Sequence, residues 1–275
     1  MRTKTLIAVC LLAMCAGVIP AVAQTPQGQA GTAPATQAKP SADQAAAATS
    51  SAPLPTVDQI IDKFVQASGG KDAWEKLTTQ VSKGTFELEG MGSGTQEIYA
   101  KAPNKVLFLT DLGSFGLVKR AFNGTTGWQD NPQTGLVDLS GDELATAKIE
   151  ADFYRAIKLK ELYPKMTVKS KEKVDGHDAY VVEAVPAAGP TVTMSFDADS
   201  GLMVRTQAEV EGPMGKADVD TTLSDYRDVD GVKVPFMIHS DMGQFAFTIK
   251  LTEVKHNVPV DDAMFDKPAA PPATQ

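Results

Sequence analysis

Phe245-Ala246-Phe247-Thr248-Ile249-Lys250-Leu251-Thr252 places large apolar side chains at odd positions and small or polar ones at even positions. A period of two predicts a β-strand with one dry face and one face in water. The same alternation recurs over residues 191–196, as Thr-Val-Thr-Met-Ser-Phe. The stretch therefore predicts a sheet of half-buried strands, and such a sheet needs a cover on its dry side.

Similar strands fill the chain from Val81 to Asn257, and turn residues such as Asn-Gly, Asp-Gly and Gly-Pro separate them. About a dozen strands are predicted, at roughly 81–89, 95–101, 105–111, 117–123, 127–129, 136–139, 167–174, 179–185, 191–197, 203–211, 217–227, 233–240 and 244–255. Helices do not alternate with these strands, which excludes a parallel βαβ architecture.

Two segments show helical spacing. Thr56 to Gln59 has the pattern of a capping box, an apolar stripe follows, and Gly69-Gly70 ends this N-terminal helix. A second capping box, Ser140 to Glu143, predicts one long mid-chain helix that runs to about Leu162. We therefore predict a mainly β (α+β) fold, an incomplete antiparallel β-barrel whose concave apolar face is covered by these two helices.

The first residues have the features of a signal peptide, here residues 1–23. Arg2 and Lys4 precede an apolar run from Leu6 to Ile19, and Ala21-Val22-Ala23 supplies small residues before a cleavage site at Gln24. The run is shorter than the roughly 20 residues that span a bilayer, so the mature chain is predicted to have no transmembrane span. Met14 before Cys15 argues against a lipid anchor, and both cysteines, Cys10 and Cys15, would be removed. The predicted location is the periplasm.

Composition predicts the remaining domain boundaries. Residues 24–55 are rich in Ala, Gln, Thr, Ser and Pro and predict a disordered linker, as do residues 268–275 for the tail. Residues 56–267 are long enough for one domain with a sizeable core. The net charge of −8 argues against a nucleic-acid partner and against general attraction to anionic lipid headgroups.

No segment predicts catalysis. His239-Ser240-Asp241 holds the three residue types of a hydrolase triad, but on a strand Ser240 points away from the other two side chains. Asp197 to Gly201 lacks the later Glu of a calcium loop and is typical of a hairpin turn. We predict a protein that is not an enzyme, with no catalytic residue, no metal site and no cofactor.

The apolar strand faces are the strongest candidate site. Two helices over so many strands leave either a closed core or a partly empty hollow, and a hollow lined in this way would suit a lipid. The predicted cavity and lid residues are Ile60, Phe64, Phe86, Leu88, Ile98, Phe153, Ile157, Met194, Phe196, Phe236, Ile238, Phe245, Phe247 and Ile249. Met91 and Phe115, in Gly-rich loops, are predicted as mobile loop contacts.

Three motifs support a family resemblance. These are Ile60-Ile61-Asp62-Lys63-Phe64 with Ala67-Ser68-Gly69-Gly70, the stretch Tyr226 to Phe236, and Val254 to Pro259 with Phe265. Together they resemble the LolA/LolB-type outer-membrane lipoprotein-sorting proteins over residues 56–267. The resemblance implies an incomplete barrel plugged by helices, with a hollow for acyl chains. No position matches the characteristic cavity arginine of the carrier.

Three functions follow as hypotheses. The first is a periplasmic carrier or binding protein that holds lipid or lipoprotein acyl chains, in lipoprotein sorting or a related envelope process, with lipid or acylated lipoprotein and envelope proteins as partners. The second is a non-catalytic envelope-stress sensor or assembly module with a solid core. The third, a hydrolase, lacks a visible nucleophile–base pair.

Overall fold

A computed structural model describes residues 53–212 and 215–269. The predicted signal peptide with its two cysteines, linker residues 24–52 and tail residues 270–275 lie outside the described residues. Their predicted roles therefore stay predictions.

One antiparallel sheet of thirteen strands dominates the described part of the chain. The strands are β1 Thr79–Leu88, β2 Gly92–Lys101, β3 Lys105–Asp111, β4 Leu117–Phe122, β5 Gly127–Asn131, β6 Gly135–Asp138, β7 Lys165–Val174, β8 His177–Val185, β9 Val192–Asp197, β10 Met203–Gly212, β11 Gly215–Val229, β12 Val232–Asp241 and β13 Ala246–His256.

The order of the strands in the sheet is β6-β5-β4-β3-β2-β1-β13-β12-β11-β10-β9-β8-β7. Every strand pairs with its neighbour in sequence except at the centre, where β1 pairs with β13, and at the two edges. The edge strands β6 and β7 follow each other in the chain but do not pair, so the sheet stays open. This confirms the predicted incomplete antiparallel barrel.

Four α-helices lie among the described residues: α1 Val57–Ala67, α2 Lys71–Trp74, α3 Gly141–Ala151 and α4 Leu159–Leu162. The capping box of α1 is present, since the Gln59 amide N–H donates to Thr56 Oγ1 (3.2 Å) and the Thr56 N–H donates to Gln59 Oε1 (2.8 Å). The helix is capped by Ser68, and Gly69 follows with φ +121°, where a Cβ would lie 2.4 Å from the Gly231 carbonyl oxygen, so this position requires glycine.

The mid-chain helix differs from the prediction. It was expected to be continuous to about Leu162, but α3 ends at Ala151 with Asp152 as its C-cap, and a short 3-10 turn, Arg155–Ile157, separates it from α4. The cause is local: Asp152 is extended (ψ 110°), and its carboxylate accepts the Tyr154 N–H at 2.9 Å. The Phe153 N–H donates instead to the Pro103 carbonyl (3.0 Å), which ties this connection to the sheet.

The helices cover one face of the sheet, which we call the inner face, and the C-terminal segment covers the other, the outer face. On the outer face Phe265 is fully buried against Leu107, Ala121 and Trp128. The Trp128 Nε1–H donates to the Phe265 carbonyl at 2.9 Å and fixes that segment. None of the helices in residues 53–212 and 215–269 is both long enough and apolar enough to span a membrane.

Candidate functional site

The predicted lid residues of α1 pack directly on the sheet. Ile60 and Phe64 are buried against Met194 and Phe196 of β9. The Phe64 and Phe196 rings meet edge to face, with centroids 5.3 Å apart and planes at 62°. The structure therefore brings these four predicted residues together, and their own side chains fill the space between α1 and the sheet.

A second group of predicted residues lies beneath the connection between α3 and α4. Phe153 is buried with Phe236 of β12 in one cluster, and Ile157 and Ile249 pack at its margin. The Arg227 guanidinium lies over the Phe236 ring, 4.2 Å from its centroid. This cation–π contact lets the charged Arg227 side chain cover apolar surface.

Two predicted residues stand apart from these groups. Ile98 packs at the margin of a third cluster, beneath α3, which includes Val106 and Phe122. Ile238 pairs with Ile249 across β12 and β13 and is half-buried. The fourteen predicted cavity residues therefore lie on the inner face of the sheet or in the helical cover above it, and they divide among several clusters.

The remaining predicted residues form what we call the apolar patch, at one end of β1 and β13. Phe86 and Leu88 are buried there, and the Phe86 and Phe247 rings stack with centroids 5.1 Å apart and planes at 25°. Its members are Phe86, Leu88, Met91, Leu112, Phe245, Phe247 and Ile249. Leu112 was not predicted, although its place before Gly113-Ser114 at a strand end resembles that of Met91.

Among the described residues, no α-helix contacts the patch. Phe86 and Leu88 are buried, whereas Met91, Leu112, Phe245 and Phe247 are half-buried. A narrow cleft with a free volume of about 10 Å³ lies between the β1–β2 turn and the β3–β4 loop, lined by Phe86, Leu88, Met91, Gly92, Ser93, Leu112 and Phe115. Both predicted loop contacts, Met91 and Phe115, therefore line the same cleft.

Backbone constraints position these loops. Gly94 must be glycine, since a Cβ there would lie 1.8 Å from the Asp111 carbonyl oxygen. The Asp111 carboxylate accepts the Gly113 N–H (2.8 Å) and the Asp241 carboxylate accepts the Gly243 N–H (2.7 Å). The Asp111 carboxylate therefore closes its own loop, and Leu112 and Phe115 of that loop line the cleft.

Ion pairs hold the helical cover to its surroundings. Lys160 of α4 donates to Asp58 (3.0 Å) and Asp62 (3.1 Å) of α1, and these hydrogen bonds raise the pKa of Lys160 above its ordinary value. Arg120, on the inner face of β4, pairs with Glu150 of α3. All these groups are at least partly exposed, so each pair contributes little stability.

Among the residues considered for catalysis, the structure brings no triad together. His239 Nδ1 lies 3.0 Å from Thr248 Oγ1, whereas the Ser240 hydroxyl faces Thr221 on the opposite face of the sheet (2.9 Å). Asp197 closes the hairpin turn, because its carboxylate accepts both the N–H and the hydroxyl of Ser200 at 2.6 Å. Within the described residues, no three His, Cys, Asp or Glu side chains are grouped to bind a metal.

Comparisons with known proteins concern the fold. No protein-family model matches the sequence, and no curated protein matches it. Among solved structures, a DUF1329 family protein from Desulfovibrio piger is similar over 76% of this chain and 97% of its own, with 15% identity and a TM-score of 0.52. A LolA superfamily protein from Nitrosomonas europaea is similar over 78% and 99%, with 12% identity and a TM-score of 0.51.

At these identities the likeness extends to the fold alone. It confirms the fold predicted from the LolA/LolB-type resemblance, an open antiparallel barrel with helices on its inner face.

Proposed function

We propose that this protein is a periplasmic carrier that holds the alkyl chain of a lipid or acylated protein on the inner face of its sheet. One observation carries the proposal: Ile249 packs both on the apolar patch and on the helix-covered cluster of Phe153 and Phe236. An apolar path therefore leads from an uncovered surface to the space beneath the cover.

The cover must move for a chain to enter fully. The cleft, with a free volume of about 10 Å³, is far smaller than the roughly 300–1,000 Å³ typical of small-molecule pockets, and the α1 side chains fill the space between α1 and β9. We infer that the structure represents a closed conformation of the cover. Entry of a chain is driven by burial worth about 0.8 kcal/mol per CH₂, which offsets displacement of the helices.

Uptake of a fluorescent fatty acid, together with native mass spectrometry of the purified protein, tests the proposal. Phe247→Ser in the patch should lower affinity at least tenfold, because a polar group replaces a stacked ring. Leu117→Ser is the matched control, since Leu117 is 42% exposed and lies outside the patch cluster. Protein that carries no lipid and takes up no fatty acid would contradict the proposal.

A second function, a non-catalytic interaction module, is favoured by a different observation. Ile61 and Phe196 are each only 1% exposed, so the interior beneath α1 is as tightly filled as an ordinary core. A module of this kind would form a stable complex with an envelope protein and take up no fatty acid under any condition. The same uptake experiment therefore distinguishes the two functions.

A further inference from the structure

Two polar side chains lie opposite each other on the inner face of β4 and β5. Arg120 of β4 pairs in register with Gln129 of β5, and directly opposite residues of an antiparallel pair share a face. Trp128 packs on the outer face, which places the next residue, Gln129, on the inner face. Because the Cβ atoms of such partners lie about 5 Å apart, the guanidinium and the amide reach the same region of the sheet.

The amide of Gln129 lacks a hydrogen-bond partner. Gln129 is 1% exposed, and its Nε2 group is buried with no partner among the described residues. Gln96, a second buried glutamine, differs: its Nε2 donates to the Glu97 carbonyl (3.1 Å) and its Oε1 accepts the Thr110 hydroxyl (2.9 Å). A buried donor without an acceptor lowers stability. The Gln129 amide therefore indicates an acceptor that the protein does not itself supply.

Arg120 is held by a carboxylate from the cover. It pairs with Glu150 of α3, and the Arg120 side chain is 17% exposed whereas that of Glu150 is 40% exposed. A guanidinium this enclosed is costly to leave without a counter-charge. Glu150 lies nearer to water and can turn outwards when another carboxylate replaces it. The ion pair thus marks a position on the inner face where a carboxylate fits.

An apolar path joins this position to the apolar patch. Phe108 lies directly opposite Arg120, and Ile98 lies opposite Phe108. Both pack on the cluster beneath α3, which shares Ala100 with the cluster beneath the connection between α3 and α4. That second cluster shares Ile249 with the patch. Arg120 therefore lies at the inner end of the path along which an alkyl chain was proposed to enter.

We propose that Arg120 and Gln129 bind the carboxylate of a long-chain fatty acid whose alkyl chain lies along this path. The carboxylate replaces that of Glu150 and accepts hydrogen bonds from the guanidinium and from the Gln129 amide. It supplies both the counter-charge of Arg120 and the acceptor that Gln129 lacks. An acyl chain in ester or amide linkage has no charge and would leave Arg120 unpaired once Glu150 has turned away. The site therefore selects a free fatty acid over an esterified lipid or an acylated protein.

The inference rests on the proposed function, since the inner face must accept an alkyl chain. The probes are laurate and 1-dodecanol, which have the same chain length and differ in the charge of the head group. Isothermal titration calorimetry gives the affinity of the protein for each. The readout is the ratio of the laurate affinity to the dodecanol affinity, because a looser cover changes both affinities together. For the intact protein this ratio should be about ten or more.

Substitutions of the two partners of the ion pair should have opposite effects. Arg120→Gln should reduce the ratio to about one, and Arg120→Lys should keep part of it, since lysine retains the charge but not the planar fork. Glu150→Gln should raise the ratio about threefold, because the competing carboxylate is gone. Lys119→Gln is the matched control, since it removes a cation from the outer face of the same strand and should leave the ratio unchanged.

Gln129→Met tests the amide separately. It should lower the ratio about threefold, because one hydrogen bond to the carboxylate is lost. It should also keep or raise the thermal midpoint, since the amide that it removes has no partner among the described residues. A lower midpoint with an unchanged ratio would give Gln129 a structural role and overturn its part in the site.

The remaining outcomes separate the head-group site from the proposed function. If Arg120→Gln and Glu150→Gln both leave the ratio as it is, the ion pair only holds the cover and the head-group site is overturned. Equal binding of laurate and dodecanol by the intact protein also overturns that site, while the proposed carrying of lipid stands. Failure of both probes to bind contradicts the proposed function, and the head-group site with it.

Discussion

Phe64 of α1 and Phe196 of β9 meet edge to face across the boundary between cover and sheet, with ring centroids 5.3 Å apart. This contact is the centre of the cluster that closes the inner face beneath α1. Both rings are almost fully buried, so the contact couples the position of α1 to the stability of the whole domain.

Phe64→Ala should lower the free energy of unfolding by about 3–5 kcal/mol, because it removes a buried ring and leaves a cavity. If α1 acts as a lid, the same variant should also take up fluorescent fatty acid faster, as measured by stopped flow. Gln66→Ala, at an exposed position of the same helix, is the control for both measurements. An uptake rate unchanged in Phe64→Ala would argue that α1 does not move during loading.

A disulfide that locks the cover should stop uptake reversibly. A Cβ at Gly189, in the β8–β9 loop, would lie 3.3 Å from the Ala145 Cβ of α3, close to the 3.5–4.5 Å range of disulfides. We expect the oxidised Ala145→Cys/Gly189→Cys variant to bind fatty acid slowly or not at all and reductant to restore binding. Each single variant is the control for strain at Gly189, where φ is +98°.

Stability should depend on pH through Asp178 in β8. Hydrogen bonds from Lys171 and Lys173 of β7, both 2.8 Å long, hold the pKa of Asp178 at about 2. Because the folded pKa lies below the ordinary value near 4, this stabilisation is present above about pH 4 and is lost as the pH falls to about 2. Asp178 is exposed, so the effect should be small.

Denaturant unfolding from pH 5 to pH 2 measures the effect. The slope of stability with pH should be shallower in Asp178→Asn than in the unmodified protein. Gln66→Ala, a substitution of an exposed residue that does not titrate, should leave the slope as it is. Identical slopes for all three proteins would show that the two lysines do not pair with Asp178 in solution.

The C-terminal segment should report on folding through tryptophan fluorescence. Phe265 is 0% exposed, and its carbonyl accepts the Trp128 Nε1–H. Phe265→Ala should cost about 3–5 kcal/mol and shift the emission of Trp128 to the red, because the segment no longer shields the indole from water. Trp74→Phe removes the other tryptophan of the chain, and Asp266→Ala is the exposed control.

The fold could be predicted because the same alternation of apolar and polar residues recurs in many strands. The alternation over residues 245–252 is found in β13, Ala246–His256, and one dry face follows from the period of two in each strand. The pairing of β1 with β13 could not be read from spacing, because the two strands are far apart in the chain and no local turn joins them. The register shift between Lys83 and Gly84 arises from that pairing and has no local signal.

The site was predicted only in part, for two physical reasons. Side-chain type shows which residues face inwards but not whether their volumes fill the space, so the packing of Ile60 and Phe64 on β9 could not be foreseen. The mid-chain helix was predicted as continuous because apolar residues at helical spacing, such as Ile149, Phe153 and Ile157, continue past Asp152. The Asp152 carboxylate instead caps Tyr154 and breaks the helix.

Because β1 pairs with β13 at the centre of the sheet, folding of the sheet can be completed only after the last strand is present. Each half of the sheet is a chain of neighbouring hairpins that can form from local contacts, but the halves join only through the first strand and the last. A polypeptide that emerges from its N-terminus cannot finish the middle of its sheet until nearly all of it has emerged. The seam between the halves thus delays the native state until the last strand is available.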